Sequence, residues 1–178
     1  MVEQKFTVSG KDIFIFDDVF TKVQQEQFYS FLKNSCYRII GGAGGALENT
    51  NDFAMQSMFS VDDLKSFGIF TVLPDNLKQK VKGRNVKRAY SLCMNYTQKP
   101  HFHTDGKESN LTFLYYANTK WDADWGGETV FADDNLNDII YTSMYKPGRI
   151  VLFDASIMHK PCTPSTDNFR FTFVANLE

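Results

Sequence analysis

The segment His101–Asp105 contains the residue types best suited to bind a metal ion. His103 and Asp105 are separated by a single residue. In an extended strand, side chains i and i+2 point to the same side, so this imidazole and this carboxylate would face one space. His101 has the same parity if the strand is regular, but only His103 has an aspartate two residues later. The spacing therefore indicates two candidate ligands of one metal, and a third must come from elsewhere.

His159 is the candidate third ligand, because the chain contains only three histidines. It lies far from His103 along the sequence, so only the fold can bring the two together. Two imidazoles and one carboxylate on one face of a metal leave the remaining positions open, which is typical of non-heme Fe(II). Zinc is the chemical alternative, although the HExxH peptidase motif is absent. The His-x-Asp pair alone is equally consistent with a surface turn.

Arg170 stands inside an aromatic segment, Phe169-Arg170-Phe171-Thr172-Phe173. A charged side chain between such residues is costly to bury unless it is paired. One interpretation is a guanidinium that binds a carboxylate through two parallel hydrogen bonds. The alternative is an arginine on the exposed face of an amphipathic last strand.

Tyrosines and tryptophans surround these candidates along the sequence. The hydroxyls of Tyr96, Tyr115 and Tyr116 would complete an acid-binding pocket, or these rings simply belong to the core. The segment 125–131, Trp-Gly-Gly-Glu-Thr-Val-Phe, predicts a tight turn into a strand, either beside the site or as a plain hairpin. Trp121 and Trp125 would stack on a substrate or anchor their own loop.

The elements that must position these residues differ between the two halves of the chain. In the N-terminal half we predict a strand over 12–16, a helix over 22–33 capped by Thr21, a strand over 37–40, a flexible turn at the glycine cluster 41–45, a loop over 46–60, and helices over 61–67 and 74–82. In the C-terminal half we predict strands over 86–97, 111–117, 129–131, 139–145, 149–153 and 169–175.

Many short strands separated by turns favour a sandwich or barrel. The predicted fold is therefore mainly β, a jelly roll with supporting N-terminal helices. We expect one domain over 1–178, with 1–83 supplying helical support and outer strands and 84–178 forming the core jelly roll with the site.

Composition limits the classes of function. Hydrophobic residues make up 43% and charged residues 22% of the 178 residues, as in globular proteins, and 17 Phe and 8 Tyr suit a β-rich core. A net charge of −2 gives no reason to expect a nucleic acid or an anionic membrane as partner. No apolar run approaches the roughly 18 residues that span a bilayer. The polar N-terminus shows no signal peptide, and three widely spaced cysteines fit a reduced, cytoplasmic location.

Taken together, these motifs resemble those of the 2-oxoglutarate- and Fe(II)-dependent dioxygenase superfamily, in its prolyl 4-hydroxylase-like branch. The resemblance covers about residues 86–178 and rests on His103-x-Asp105, His159, Arg170, Leu114-Tyr115-Tyr116, the Trp-Gly-Gly-Glu-Thr-x-Phe turn at 125–131, and Lys146-Pro147-Gly148-Arg149 before Val151-Leu152-Phe153.

The resemblance implies a double-stranded β-helix with Fe(II) held by His103, Asp105 and His159. The co-substrate 2-oxoglutarate would chelate the iron, and Arg170 would bind its far carboxylate. The residues implied to assist Arg170 are Tyr116 first, and then Tyr96 and either Thr112 or Thr172.

The implied activity is O2-dependent hydroxylation of a C–H bond of a peptidyl residue such as proline, with release of succinate and CO2 and with ascorbate as an accessory reductant. An oxygenase of a free amino acid or other metabolite, and an inactive jelly-roll binding module, are the alternatives. The sequence leaves the role of His101, the substrate and the oligomeric state open.

Overall fold

The computed structural model of the chain describes residues 1–41 and 53–178. Its elements in chain order are β1 (Val2–Val8), β2 (Lys11–Asp17), α1 (Lys22–Lys33), β3 (Arg38–Gly41), β4 (Phe53–Phe59), α2 (Val61–Phe67), α3 (Asp75–Val81), β5 (Val86–Met94), β6 (Leu111–Tyr116), β7 (Thr129–Ala132), β8 (Ile139–Ser143), β9 (Ile150–Asp154), β10 (His159–Pro161) and β11 (Arg170–Leu177). A short 3₁₀ helix, Ala123–Trp125, precedes β7.

The strands form two antiparallel sheets. The larger has eight strands in the order β1-β2-β9-β6-β11-β5-β4-β3, and the smaller has the order β10-β7-β8. Strands from the N-terminal half occupy both edges of the larger sheet, so the two halves of the chain share it. The predicted class, mainly β with supporting helices in a jelly-roll arrangement, is confirmed.

Three helices cover the outer face of the larger sheet. α1 begins at a capping box in which Thr21 accepts from the Gln24 backbone and the Gln24 side chain accepts from the Thr21 backbone. Its buried residues Phe28 and Leu32 join a core cluster with Phe113 and Phe173 of the sheet. Burying each such side chain contributes about 2 kcal/mol. The helices therefore hold the sheet rigid from the side opposite to the candidate site.

Strand β11 lies between β6 and β5 and is buried along its whole length. Its side chains alternate between two cores: Phe171 and Phe173 pack towards the helices, whereas Val174 packs between the two sheets. Arg170 and Thr172 have the same parity as Val174 and lie on the inner face. The alternative of an exposed arginine on an amphipathic last strand is thereby excluded.

Three strands were not predicted: β1, β4 and the short β10. Residues 53–59 form β4, so the predicted loop is wrong there, while residues 42–52, including most of the glycine cluster, lie outside the described residues. Within β4, Met55 and Phe59 pack against the helical core in the alternation expected of a strand. β1 is a mostly exposed edge strand, paired with β2 through a Ser9-Gly10 turn in which both residues have positive φ.

Strand β5 ends at Met94, earlier than the predicted boundary at 97. Asn95 begins a turn in which its backbone N–H is bound by the Gln98 side chain and its carboxamide accepts from Thr97. None of the helices formed by residues 1–41 and 53–178 combines the length and apolar character needed to cross a bilayer.

Candidate active site

The backbone brings His103 and His159 side by side. Each donates its backbone N–H to the carbonyl of the other at 3.0 Å, although His103 lies outside the main strands and His159 begins β10. Asp105 is fixed nearby because its N–H donates to the carbonyl of Ala155, 2.8 Å away. Backbone hydrogen bonds therefore hold the connection between β5 and β6, which carries His103 and Asp105, against the segment 155–159 that follows β9.

The side chains of these three residues converge on one point. Nε2 of His103 lies 3.8 Å from Oδ1 of Asp105, and Nε2 of His159 lies 3.6 Å from Oδ2. One potential metal-binding atom from each of the three residues lies within 4.8 Å of the other two. No other group of three or more potential metal ligands was found in the described segments. A metal with bonds of about 2.1 Å needs neighbouring donors about 3.0 Å apart at right angles. The two His–Asp distances exceed this separation by less than about 1 Å, and no pair of the three donor atoms exceeds it by more than about 2 Å.

Both imidazoles are oriented by backbone carbonyls. Nδ1 of His103 lies 2.9 Å from the carbonyl of His101, and Nδ1 of His159 lies 2.9 Å from the carbonyl of Ile157. A carbonyl can only accept, so each Nδ1 carries the proton and each Nε2 presents its lone pair to the common point. Burial lowers the pKa of His159 below its usual value; His103 acts in the same direction and Asp105 opposes it. His159 is thus kept in the neutral form that binds metals.

The carboxylate of Asp105 is almost fully buried, with 3% of its side chain exposed. Thr112 on β6 donates its hydroxyl to Oδ2 at 2.8 Å. The guanidinium of Arg88 on β5 lies 3.5 Å from Oδ1. Each oxygen of the carboxylate therefore has a partner within the chain, which fixes the orientation of the carboxylate.

Arg170 is also buried, with 1% of its surface exposed. Its Nε donates to the carbonyl of Gly127 at 2.6 Å and its Nη2 to the hydroxyl of Thr129 at 3.2 Å. Its guanidinium lies over the rings of Tyr116 and Tyr145, 5.5 and 5.4 Å from their centroids. All of these partners are neutral, so within the described segments the charge of Arg170 has no counter-ion.

The turn at 125–131 supports Arg170 from behind. Gly127 has a φ of +79°, and a Cβ there would lie 2.9 Å from Cζ2 of Trp121 and 3.3 Å from Cδ of Arg170. The Trp121 indole N–H donates to the carbonyl of Gly126 at 2.9 Å, and its ring packs edge-to-face against Trp125. Trp121 thus anchors its own loop, which was one of the two interpretations of these tryptophans.

One cavity connects the triad with Arg170. It has an empty volume of about 370 Å³, and its wall includes His103, Asp105 and His159 at one part and Arg170 and Thr172 at another. Apolar side chains complete the wall: Leu92, Leu114, Phe153 and Val174. The hydroxyl of Thr172 is buried without a hydrogen-bond partner. A buried hydroxyl of this kind is costly unless a ligand binds it.

The three candidate tyrosines, Tyr96, Tyr115 and Tyr116, do not line this cavity. The hydroxyl of Tyr116 donates to the carbonyl of Ser143 at 3.1 Å, and the Tyr116 side chain is absent from the cavity wall. Tyr96 is 58% exposed on the turn that follows β5. Tyr115 belongs to the helical core. Tyr90 does line the cavity, and burial together with the charge of Asp105 raises its pKa, so its hydroxyl stays protonated.

A wider groove opens from the triad to the surface. It has an empty volume of about 1210 Å³ and shares His103, Asp105 and Tyr90 with the inner cavity. Its outer wall is formed by the inner face of β3, β4 and β5 and by residues 98–101, including Lys99 and His101. His101 therefore lies on the rim of this groove, and its carbonyl orients His103.

Sequence reasoning missed the contribution of Asn176. This residue is 4% exposed, lies on the inner face of β11, and donates to Thr112, the partner of Asp105. The sequence does contain a signal for it: Asn176 is a polar residue within the apolar last strand, and it lies on the same face of that strand as Arg170 and Thr172.

Comparisons with known proteins agree with this geometry. Residues 90–178 match the family model of the 2OG-Fe(II) oxygenase superfamily, in which 2OG denotes 2-oxoglutarate. A comparison with curated protein sequences gives no match.

Solved structures with the same fold cover most of the chain. An oxidoreductase of the 2OG-Fe(II) oxygenase family from Burkholderia pseudomallei has a TM-score of 0.69 and 10% identity over 93% of this chain and 84% of its own. A prolyl hydroxylase from Trichoplax adhaerens, in complex with a hypoxia inducible factor peptide, has a TM-score of 0.64 and 15% identity over 93% and 82%. HygX from Streptomyces hygroscopicus, with nickel, 2-oxoglutarate and hygromycin B bound, has a TM-score of 0.67 and 11% identity over 93% and 82%.

Proposed function

Because the chain belongs to the 2OG-Fe(II) oxygenase superfamily, we propose that it hydroxylates a C–H bond with Fe(II), 2-oxoglutarate and O2. His103, Asp105 and His159 bind the iron through Nε2, a carboxylate oxygen and Nε2. The observation that carries this proposal is the convergence of these three side chains in one cavity with a buried, uncompensated Arg170. Iron, when bound, supplies the activation of O2.

Arg170 and Thr172 bind the far carboxylate of 2-oxoglutarate. The guanidinium uses two of its five N–H groups on Gly127 and Thr129, and the others remain for an anion. Thr172 lies two residues after Arg170 on the same face of β11. Its buried hydroxyl has no hydrogen-bond partner in the described segments and is available to a ligand. Tyr116 supports Arg170 through its ring. Tyr96 is exposed on its turn, so any contribution from it would require that turn to move.

The direct test is turnover of 2-oxoglutarate to succinate by the purified protein with Fe(II), O2 and ascorbate. Anaerobic titration with Fe(II) and 2-oxoglutarate should produce a visible charge-transfer band in the wild type. The band should be missing in His159→Ala, whose fold is checked by circular dichroism. Failure of the wild type to give either the band or succinate would refute the proposal and favour an inactive binding module.

For the substrate we propose a peptidyl residue such as proline, bound in the outer groove. This groove opens from the triad to the surface along β3, β4 and β5, which gives an extended chain a path past the candidate metal ligands. A structural neighbour that binds a peptide, the Trichoplax prolyl hydroxylase, adds support by analogy.

The charges of the groove sharpen the choice of peptides. Arg88 and Lys99 line it, and Asp105 is the only carboxylate among the described residues of its wall. We therefore expect proline peptides with acidic flanks to be turned over faster than peptides with basic flanks, and the difference to shrink as salt rises.

A small-molecule substrate is the second candidate. The groove is closed on one side by the 98–101 segment, and the HygX structure holds hygromycin B. A panel of peptides and of free amino acids and related metabolites, each scored by stimulated succinate release, separates the two. Stimulation by small molecules alone would reject the peptide proposal.

A further inference from the structure

Three residues on neighbouring strands form a polar row behind Asp105. Asn176 of β11 pairs in register with Thr112 of β6 on one side and with Arg88 of β5 on the other. Side chains at paired positions lie on the same face of a sheet. The row Arg88-Asn176-Thr112 therefore crosses three strands on the inner face, directly below the carboxylate of Asp105.

Hydrogen bonds close this row into a ring with Asp105. Arg88 donates Nε–H to the carboxamide oxygen of Asn176, and the Asn176 amide nitrogen donates to Oγ1 of Thr112 at 3.2 Å. Thr112 donates to Oδ2 of Asp105 at 2.8 Å. The guanidinium of Arg88 then approaches Oδ1 of the same carboxylate, at 3.5 Å.

The direction of every hydrogen bond in the ring is determined. Arg88 can only donate, so the Asn176 oxygen must face it and the Asn176 amide must face Thr112. A hydroxyl has a single proton, so Thr112, which accepts from Asn176, has its own proton free for Asp105. Reversing the Asn176 carboxamide would set donor against donor at Arg88. The ring therefore has one stable arrangement, which delivers a proton donor to the carboxylate.

Thr112 and Asn176 are buried, so the loss of either hydrogen bond would affect the carboxylate of Asp105 strongly. Thr112 is 1% and Asn176 is 4% exposed, so water does not replace a lost partner. In a buried site, a carboxylate and its hydrogen-bond donors polarise one another more strongly than in water.

We propose that Asn176 is a positioning residue for metal binding, which acts through Thr112 and Arg88 to hold the Asp105 carboxylate oriented towards His103 and His159. The inference rests on the proposed function, because it assigns Asp105 to a metal. Asn176 touches none of the reacting groups. Its effect is to keep the carboxylate rotamer fixed before the metal arrives, which lowers the cost of binding.

The test measures the affinity of the full chain for Co(II) alone, followed by the visible absorption of the bound metal, without 2-oxoglutarate. Loss of a partner that orients a metal ligand typically weakens metal binding about 10- to 100-fold. We expect this range for Asn176→Ala and for Thr112→Val, which removes the hydroxyl and keeps the shape. Thr112→Ser, which keeps the hydroxyl, should bind Co(II) as the wild type does.

Ser91→Ala is the matched control. Ser91 is also fully buried on β5, but it lies on the opposite face and its hydroxyl bonds Tyr37 and the carbonyl of Thr172. This variant should lose a buried hydrogen bond without changing the affinity for Co(II). The double variant Asn176→Ala/Thr112→Val should bind within about threefold of Thr112→Val alone, because both act on the same carboxylate.

The outcomes separate the inference from the proposed function. A wild type that fails to bind Co(II) removes the metal site and both claims with it. A wild type that binds, with folded Asn176→Ala and Thr112→Val binding equally well, overturns the inference alone. If Asn176→Ala does not fold, the pair Thr112→Val and Thr112→Ser decides, because the first preserves the volume of the side chain and the second removes only one methyl group.

Discussion

Replacing Arg170 by methionine should separate the stability of the protein from its capacity to bind 2-oxoglutarate. The guanidinium is 1% exposed, and its hydrogen bonds go to a neutral carbonyl and a neutral hydroxyl. Removing this buried charge relieves a desolvation cost, whereas Gly127 and Thr129 each lose a donor. These effects oppose each other, so we expect the free energy of unfolding without ligand to change by no more than about 1 kcal/mol.

Binding of 2-oxoglutarate should respond much more strongly. A hydrogen bond to a charged group contributes about 1.5 to 3 kcal/mol, so losing a two-pronged contact costs about 3 kcal/mol, or about 100-fold in Kd. At a ligand concentration one hundred times the wild-type Kd, binding stabilises the wild type by about 2.7 kcal/mol. For a domain of this size that raises Tm by roughly 5 to 10 °C, whereas the variant should gain only about 1 °C.

The assay is thermal unfolding of the Mn(II)-loaded protein with increasing 2-oxoglutarate. Arg149→Met is the control, because Arg149 is held by the carboxylate of Asp17 at 2.8 Å and lies outside the cavity. That control should lower Tm without ligand and keep the full ligand-induced shift. An unchanged ligand-induced shift in Arg170→Met would place the far carboxylate against another group and refute the reasoning.

Three further changes test other parts of the structure. His159→Ala should abolish succinate production and reduce Co(II) affinity by at least tenfold while circular dichroism stays native, because one of three ligands is lost; retained turnover would move the third ligand elsewhere. Gly127→Ala should raise the 2-oxoglutarate KM, since a Cβ 2.9 Å from Trp121 at a φ of +79° displaces the turn that holds the arginine; an unaltered KM would show that the turn does not set its position. Asp17→Asn should cost about 1 to 3 kcal/mol in urea unfolding at pH 7. Burial acts to raise the pKa of Asp17, but hydrogen bonds and charge from Arg149 lower it below its usual value, so this contribution is present above about pH 4 and is lost as the pH falls through the lowered pKa; a gap between wild type and variant that does not narrow as the pH falls below about 4 would contradict this assignment.

The candidate ligands were predictable because their chemistry restricts the choice. Three histidines and one His-x-Asp spacing leave few combinations, and the structure brings together the set that the sequence favoured. A special environment for Arg170 was predictable for a related reason, because a guanidinium within an aromatic strand is costly to bury unless it has a partner. In both cases a residue type was energetically conspicuous at its position.

Tyr96 shows where the same reasoning fails. The alternation of β5 continues in the sequence to residue 97, but the Asn95 and Gln98 side chains close a turn that ends the strand at Met94. Side-chain hydrogen bonds to nearby backbone compete with strand pairing, and their outcome depends on neighbours that the local pattern does not contain. Strand β4 was missed because its local sequence has only a weak preference for the extended conformation. Its pairing with β3 and β5, which the local pattern does not contain, makes it a strand.

The cavity contains two buried charged residues, Asp105 and Arg170, and their different partners indicate what kind of ligand the cavity can bind. Asp105 is compensated within the chain by Thr112 and Arg88, which hold its carboxylate in place. Arg170 has only neutral partners within the described segments, so an anionic ligand in the cavity would supply the missing counter-ion. A molecule that satisfies both ends needs an anionic group for the guanidinium and a second group that reaches a metal at the triad. A keto dicarboxylate meets both requirements at once, whereas a monocarboxylate would leave either the arginine or the metal without a ligand; comparing 2-oxoglutarate with its monocarboxylate analogues in the same unfolding assay would expose this difference.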